Sequence, residues 1–251
     1  MGFFSRLFGS KKGEAQLAEK PTQSPQILRL QKRATKNFGQ PQDRQMALAS
    51  LAEIGTEEAI DALLLRYTFR IEQTIGDEEE KRTVYGYLID LGSTAVDPIV
   101  RFLEKHNAPF WPTKALTEIV GEERTVGYLI DIVQDMEAIF DKDIERKVEL
   151  ISNLREFRDP RVTELLLGYL DDDNEEFRVH AVEGLADLGD EEMGDTLVER
   201  LLSEDETQRV KTTVLELLID RKWKIKRHKE AIRKVIPDAY WIDDVGVIHR
   251  R

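Results

Sequence analysis

The chain contains no cysteine among its 251 residues. Disulfides, thiolate zinc sites, iron–sulfur clusters and cysteine nucleophiles are therefore excluded together. It also lacks an apolar run approaching the roughly 20 residues of a membrane-spanning helix, and residues 3–8 are too short for the apolar core of a secretory signal. These absences lead us to expect a cytoplasmic protein.

Basic residues are scarce in the middle of the chain. Residues 159–206 carry seventeen Asp or Glu against three Arg, whereas residues 1–36 carry eight Lys or Arg against two Glu, and residues 221–234 eight against one. The net charge is -12. Nucleic acid binding needs a continuous basic track along the phosphates, so this distribution disfavours DNA and RNA as partners.

Signatures of catalysis and metal binding are missing as well. There is no Gly-rich phosphate loop and no serine nucleophile elbow, and acidic pairs such as Asp243–Asp244 fall in loops or tails. The four histidines stand in separate segments, at His106, His180, His228 and His249. We therefore expect no catalytic residues, no metal ligands and no cofactor.

A repeated apolar phrase organises the rest of the sequence. It has the form Leu-x-x-apolar, usually followed by Gly, and it recurs at steps of 37, 28, 38, 31 and 30 residues, within the range of helical-hairpin repeats. The Gly suits the left-handed residue that ends a helix. The phrases begin at Leu51, Leu88, Leu116, Leu154, Leu185 and Leu215.

A second amphipathic helix follows each of the first five phrases. Thr56 precedes two glutamates and Asp159 precedes Pro160, both patterns typical of a helix N-terminus. Apolar residues then recur at helical spacing, as in Val96, Ile99 and Leu103. One such pair cannot bury its apolar face alone, so the pairs must stack.

The stretch 165–202 resembles HEAT repeats of the phycobilisome-lyase-like type, through its Leu170–Asp172 loop, Arg178, Ala181 and the Leu185 phrase. This resemblance implies an all-α fold, an α-solenoid of about five to six HEAT-type antiparallel helix pairs. We expect residues 26–236 to form this solenoid with an N-terminal capping helix. Residues 1–25 are then a peptide and linker, and residues 237–251 an extended tail or hairpin that covers the last pair through Tyr240, Trp241 and Ile242.

HEAT-like repeats serve scaffolds and enzymes alike, so the resemblance leaves the function open. Deoxyhypusine hydroxylases of this architecture bind iron through His-Glu pairs, yet no histidine here precedes Glu. DNA glycosylases of this architecture use aromatic residues beside an acid on a basic face. Trp111 and Asp131 imitate that pair, but the surrounding acidity opposes DNA. Phycobilin lyases share the repeat type and the acidic body, although no chromophore motif is recognisable.

Polar residues of the second helices are the candidate partner-binding residues, because these helices usually line the concave face of a HEAT solenoid. Tyr and Arg are favoured anchors at interfaces, and an Arg among acids can pair with a partner's carboxylate. The candidates are Arg66, Arg70, Arg101, Tyr128, Tyr169 and Arg200.

The N-terminal peptide is a second candidate site. Phe3, Phe4, Leu7 and Phe8 share one helical face beside basic residues, and a linker follows. We expect residues 1–12 to make peripheral membrane contact or to enter a groove of a protein. The sequence thus predicts a non-catalytic interaction scaffold or adaptor for protein partners, with a phycobilin lyase-like enzyme or chaperone as the alternative.

Overall fold

A computed structural model describes residues 24–72, 74–189 and 191–251. The predicted docking peptide, Phe3 to Phe8, lies outside these residues. The described helices are α1 (Pro25–Ala34), α2 (Pro41–Ile54), α3 (Glu57–Leu64), α4 (Thr74–Leu91), α5 (Val96–Lys105), α6 (Phe110–Val120), α7 (Glu122–Asp135), α8 (Asp141–Leu154), α9 (Pro160–Tyr169), α10 (Glu175–Leu188), α11 (Met193–Leu202), α12 (Gln208–Arg221) and α13 (Lys229–Val235). None of them is long and apolar enough to cross a membrane.

The helices form the predicted all-α solenoid. The phrases begin in α2, α4, α6, α8, α10 and α12, so each marks the first helix of a pair, and its first leucine is buried. First helices contact one another in two groups, α2–α4–α6 and α8–α10–α12. Second helices α3, α5, α7 and α9 contact one another along the stack, and α1 covers the first pair by packing on α2 and α3.

Several helix ends follow the sequence signals, and others do not. The hydroxyl of Thr56 accepts a hydrogen bond from the Ala59 amide, and the Asp159 carboxylate accepts one from the Arg161 amide. Gly55 adopts the left-handed conformation after α2, with φ 63°. Gly189, predicted to do the same after α10, is extended instead, with φ -84°.

A buried ion cluster holds the first two repeats together. Glu80 of α4 accepts hydrogen bonds from the Nε atoms of Arg44 on α2, at 2.8 Å, and Arg66, at 2.6 Å. Asp77 binds Arg66 at 2.6 Å and Lys81 at 2.6 Å. Burial alone would raise the pKa of Asp77, but the hydrogen bonds from Lys81 and Arg66 outweigh it and hold this pKa below its usual value.

The chain ends in a two-stranded antiparallel hairpin of β1 (Tyr240–Ile242) and β2 (Ile248–Arg250). Ile242 and Ile248 are buried, because β1 packs on α13 and β2 on α12. Trp241, predicted to cover the last pair, instead stays 43% exposed and stacks on His249. The hairpin therefore covers this end of the solenoid mainly through its isoleucines.

Candidate partner-binding surface

Two grooves cross the surface formed by the second helices. The α5–α7 groove has a volume of about 430 Å³ and an apolar floor that includes Val100, Ile132 and Met136. The α7–α9 groove has a volume of about 680 Å³ and includes Ile130 and Leu165. Asp131 of α7 lines both grooves, so they lie next to each other on the two sides of this helix. We call the two grooves together the acidic channel.

Carboxylates dominate the lining of the acidic channel. They are Glu104, Asp131, Asp135, Glu137, Glu164 and Asp172, against the cations Arg146, Lys147 and Arg161. Within the described part of the chain, no ion pair involves any of these six carboxylates. The three cations are already engaged: Arg146 with Asp143, Lys147 with the Met136 carbonyl, and Arg161 with Asp159. The negative charge of the channel is therefore available to a ligand.

Lys147 lines the α7–α9 groove, although it was not among the candidate residues predicted from the sequence. Its Nζ lies 3.0 Å from the carbonyl oxygen of Met136 and 5.3 Å from the ring centres of Tyr169 and Phe177. Burial lowers the pKa of Lys147, and the charge of Asp172 opposes that shift. The signal was its spacing, because Lys147 falls on the apolar stripe Ile144–Ile151–Leu154 of α8.

The two tyrosine candidates line this channel. Tyr128 is half-buried in the α5–α7 groove, where its hydroxyl lies 3.4 Å from an Arg124 nitrogen. Tyr169 lines the α7–α9 groove but is largely buried and packs against Phe177. Burial raises the pKa of Tyr169 to about 12, so its hydroxyl stays protonated at neutral pH. The geometry leaves Tyr128 as the more accessible of the two.

Arg101 and Arg200 cross-link neighbouring repeats. Arg101 of α5 reaches Glu57 at 3.1 Å and Asp61 at 3.2 Å, both on α3. Arg200 of α11 pairs with Asp171 at 2.8 Å and donates to the Leu170 carbonyl oxygen at 3.0 Å. From the sequence, these arginines were predicted to pair with a carboxylate of a partner protein. In the structure they pair with acidic residues that precede them in this chain.

Arg66 and Arg70 lie beyond the second helix to which the sequence analysis assigned them. The structure corrects the prediction for Arg66, whose side chain is 0% exposed in the buried ion cluster and so cannot meet a partner on the surface. Arg70 is exposed and lines a different cleft, beside Phe110 and Trp111. Neither residue belongs to the acidic channel.

Trp111 and Asp131, the pair that imitates a glycosylase site, are not brought together. Trp111 packs at 5.5 Å against the ring of Tyr85, and Lys114 lies over both rings. Asp131 lies in the acidic channel, which Trp111 does not line. The structure thus gives Trp111 a packing role between α4 and α6.

Among the described residues, titratable side chains do not converge as a metal centre would require. Within residues 24–72, 74–189 and 191–251, no group of three or more His, Cys, Asp or Glu could hold a metal ion. His249 contacts Asp243 at 2.9 Å in the hairpin, and His180 lies 3.3 Å from Glu183 on α10.

Comparison with known proteins identifies the repeats. The family described as HEAT repeats matches residues 136–219, which cover α8 to α12, and the PBS lyase HEAT-like repeat matches residues 43–65, which cover α2 and α3. No curated protein sequence matches the chain. A solved structure, described as the crystal structure of an engineered protein, is 17% identical, with 78% of this chain and 98% of that chain covered and a TM-score of 0.29. A similarity at that TM-score carries no argument about function.

Proposed function

We propose that this chain of HEAT repeats, which includes the PBS-lyase-like type, is a non-catalytic scaffold or adaptor that binds a partner protein in its acidic channel. The observation that carries the proposal is a contrast in the channel lining. The cations already bind groups of this protein, whereas the carboxylates form no ion pairs and lie beside apolar side chains. A matching ligand is a protein segment that alternates Lys or Arg with apolar side chains. Tyr128, half-exposed at the channel, is the anchor we assign to that segment.

Neutralising the channel should weaken partner binding without unfolding the protein. The test variant combines Asp131→Asn, Asp135→Asn and Glu137→Gln, all exposed positions. Because exposed ion pairs contribute about 0.2–1 kcal/mol each, we expect affinity to fall about tenfold. Affinity capture from the source organism identifies a candidate partner, and calorimetry with the purified partner measures the affinity and its salt dependence.

The matched control removes the same charge from first helices, outside the channel. It combines Glu53→Gln, Glu79→Gln and Asp90→Asn, which are also exposed. The control should bind as the native chain does. Equal binding by all three proteins would show that the partner does not use the channel.

We also propose that residues 1–12 localise the scaffold at a membrane. Phe3, Phe4, Leu7 and Phe8 would enter the interface while the nearby basic residues meet anionic lipid, at about 1 kcal/mol for each basic residue. The full chain should sediment with anionic vesicles, and deletion of residues 1–12 should abolish this. Added salt should weaken it. Equal sedimentation of the full and truncated chains would contradict the anchor.

A phycobilin lyase-like activity is the second candidate, favoured by the match of residues 43–65 to the PBS lyase HEAT-like repeat. A chain that handles a bilin should change the absorbance spectrum of added bilin. An unchanged spectrum, together with channel-dependent partner binding, would favour the scaffold.

A further inference from the structure

A basic recess lies next to the α5–α7 groove and shares Arg146 with it. It has a volume of about 360 Å³ and is bounded by the end of α5, the loop before α6 and the start of α8. Lys105, His106, Lys142 and Arg146 line it, together with Asn107. Its one carboxylate is Glu145. Such a lining is unexpected on a protein with a net charge of -12.

The cations of this recess differ in how they are held. Arg146 is fixed, since its guanidinium donates to the Lys105 carbonyl oxygen at 3.1 Å and to Asp143 at 3.0 Å. Lys105 and Lys142 are exposed and form no ion pair within the described residues. Lys105 and Lys142 therefore line the recess with Arg146 without being bound in ion pairs, and Glu145 is the carboxylate of the lining.

The pKa of His106 responds to the charges around the recess. Its ring stacks on Phe102 at 4.6 Å and is partly buried. Burial, followed by the charges of Lys105 and Arg146, lowers the pKa of His106. The two named charges are positive, so an anion bound here would oppose them and raise this pKa.

An aromatic cleft of about 520 Å³ adjoins the basic recess. The two share Thr68, Asn107 and Ala108 as a common wall. Phe110, which is 63% exposed, and Trp111 line the aromatic side. Helix α8 contributes to both cavities, with Lys142 and Arg146 in the basic recess and Glu149 and Asn153 in the aromatic cleft. These four residues are spaced three or four positions apart, so they share one face of the helix. The two cavities therefore form one continuous amphipathic groove.

We propose that this groove binds a phosphate monoester carried on an aromatic group, as in a phosphotyrosine side chain. The phosphate carries a charge of about -1.5 to -2 at neutral pH, which matches the two unpaired lysines, and its oxygens accept hydrogen bonds from ammonium and amide donors. The ring lies against Phe110 and Trp111. This site shares Arg146 with the acidic channel, but the ligand proposed here has the opposite charge to that of the channel.

The test uses phenyl phosphate as the probe and the His106 ring signals in NMR spectra of the full chain as the readout. Phenyl phosphate should bind and raise the pKa of His106, inorganic phosphate should bind more weakly, and phenol should leave the signals unchanged. The variant Lys105→Ala/Lys142→Ala should bind phenyl phosphate at least about fivefold more weakly, because two charge-assisted contacts are lost. Phe110→Ala should weaken phenyl phosphate but not inorganic phosphate.

The matched control is Lys226→Ala/Lys234→Ala, which removes two exposed lysines far along the chain and should bind as the native protein does. A short phosphotyrosine peptide distinguishes a protein ligand from a small molecule. If the peptide binds more tightly than phenyl phosphate, the groove binds phosphorylated proteins, and if the two bind equally, it binds small phosphate esters. Unperturbed His106 signals at millimolar phenyl phosphate would overturn the proposal, as would equal loss of affinity in both lysine variants.

Discussion

Replacing Glu80 with alanine should lower the free energy of unfolding by about 3–5 kcal/mol, the cost of breaking a buried ion pair by removing one partner. The Glu80 carboxylate is the shared acceptor of Arg44 and Arg66, and all three residues are buried. Without it, Arg44 keeps the Lys36 carbonyl oxygen, and Arg66 keeps Asp77. The Arg44 guanidinium would thus be left in the interior without a carboxylate partner. Chemical denaturation monitored by circular dichroism measures the loss.

Glu79→Ala is the matched control for Glu80→Ala. It removes the same side chain from the adjacent position of α4, where the residue is exposed. Exposed substitutions usually change stability by less than about 0.5 kcal/mol. If Glu80→Ala is as mild as Glu79→Ala, the ion cluster does not join the first two repeats as described.

Leu185→Ala should destabilise the protein by about 2–5 kcal/mol, because it removes a buried side chain and leaves a cavity that the surrounding helices fill only in part. Leu185 is fully buried in α10, which packs against α8, α9, α11 and α12. The loss is therefore felt across three neighbouring repeats. Denaturant titration with an unchanged m value would show a change in stability alone.

Leu167→Ala gives the comparison on the surface. Leu167 of α9 is 38% exposed, so truncating it creates no enclosed cavity. We expect a clearly smaller change than for Leu185. A change below about 0.5 kcal/mol for Leu185→Ala would mean that the register of the fourth and fifth pairs is wrong.

The repeat architecture was predictable because its signal is periodic. Apolar spacing located all six first helices, and local capping chemistry located the starts of α3 and α9. Local patterns were less reliable where packing decides. The extended Gly189 shows this. A Cβ at this position would lie 2.8 Å from the Met193 Cβ, so glycine is needed here because the two residues pack closely and not because the backbone has a left-handed φ.

The candidate site was less predictable, because charged residues were assumed to be exposed. Asp77, Glu80 and Lys81 continue the stripe of Val84 and Leu88 on α4, so their burial was visible in the spacing. Arg66 joins them from outside α4, and no sequence pattern identifies such a tertiary contact. The same holds for Arg101 and Arg200, because their partners Asp61 and Asp171 lie in earlier segments of the chain.

The central claim is that the second helices, through the acidic channel, form the partner-binding surface. Hydrogen–deuterium exchange tests it most directly. The partner is the protein that binds the native chain but not the channel variant, and exchange is measured on the full chain with and without it. The account predicts slower exchange in α5, α7 and α9, with the first helices α2, α4 and α6 unchanged. Protection confined to the first helices or to the C-terminal hairpin would contradict it.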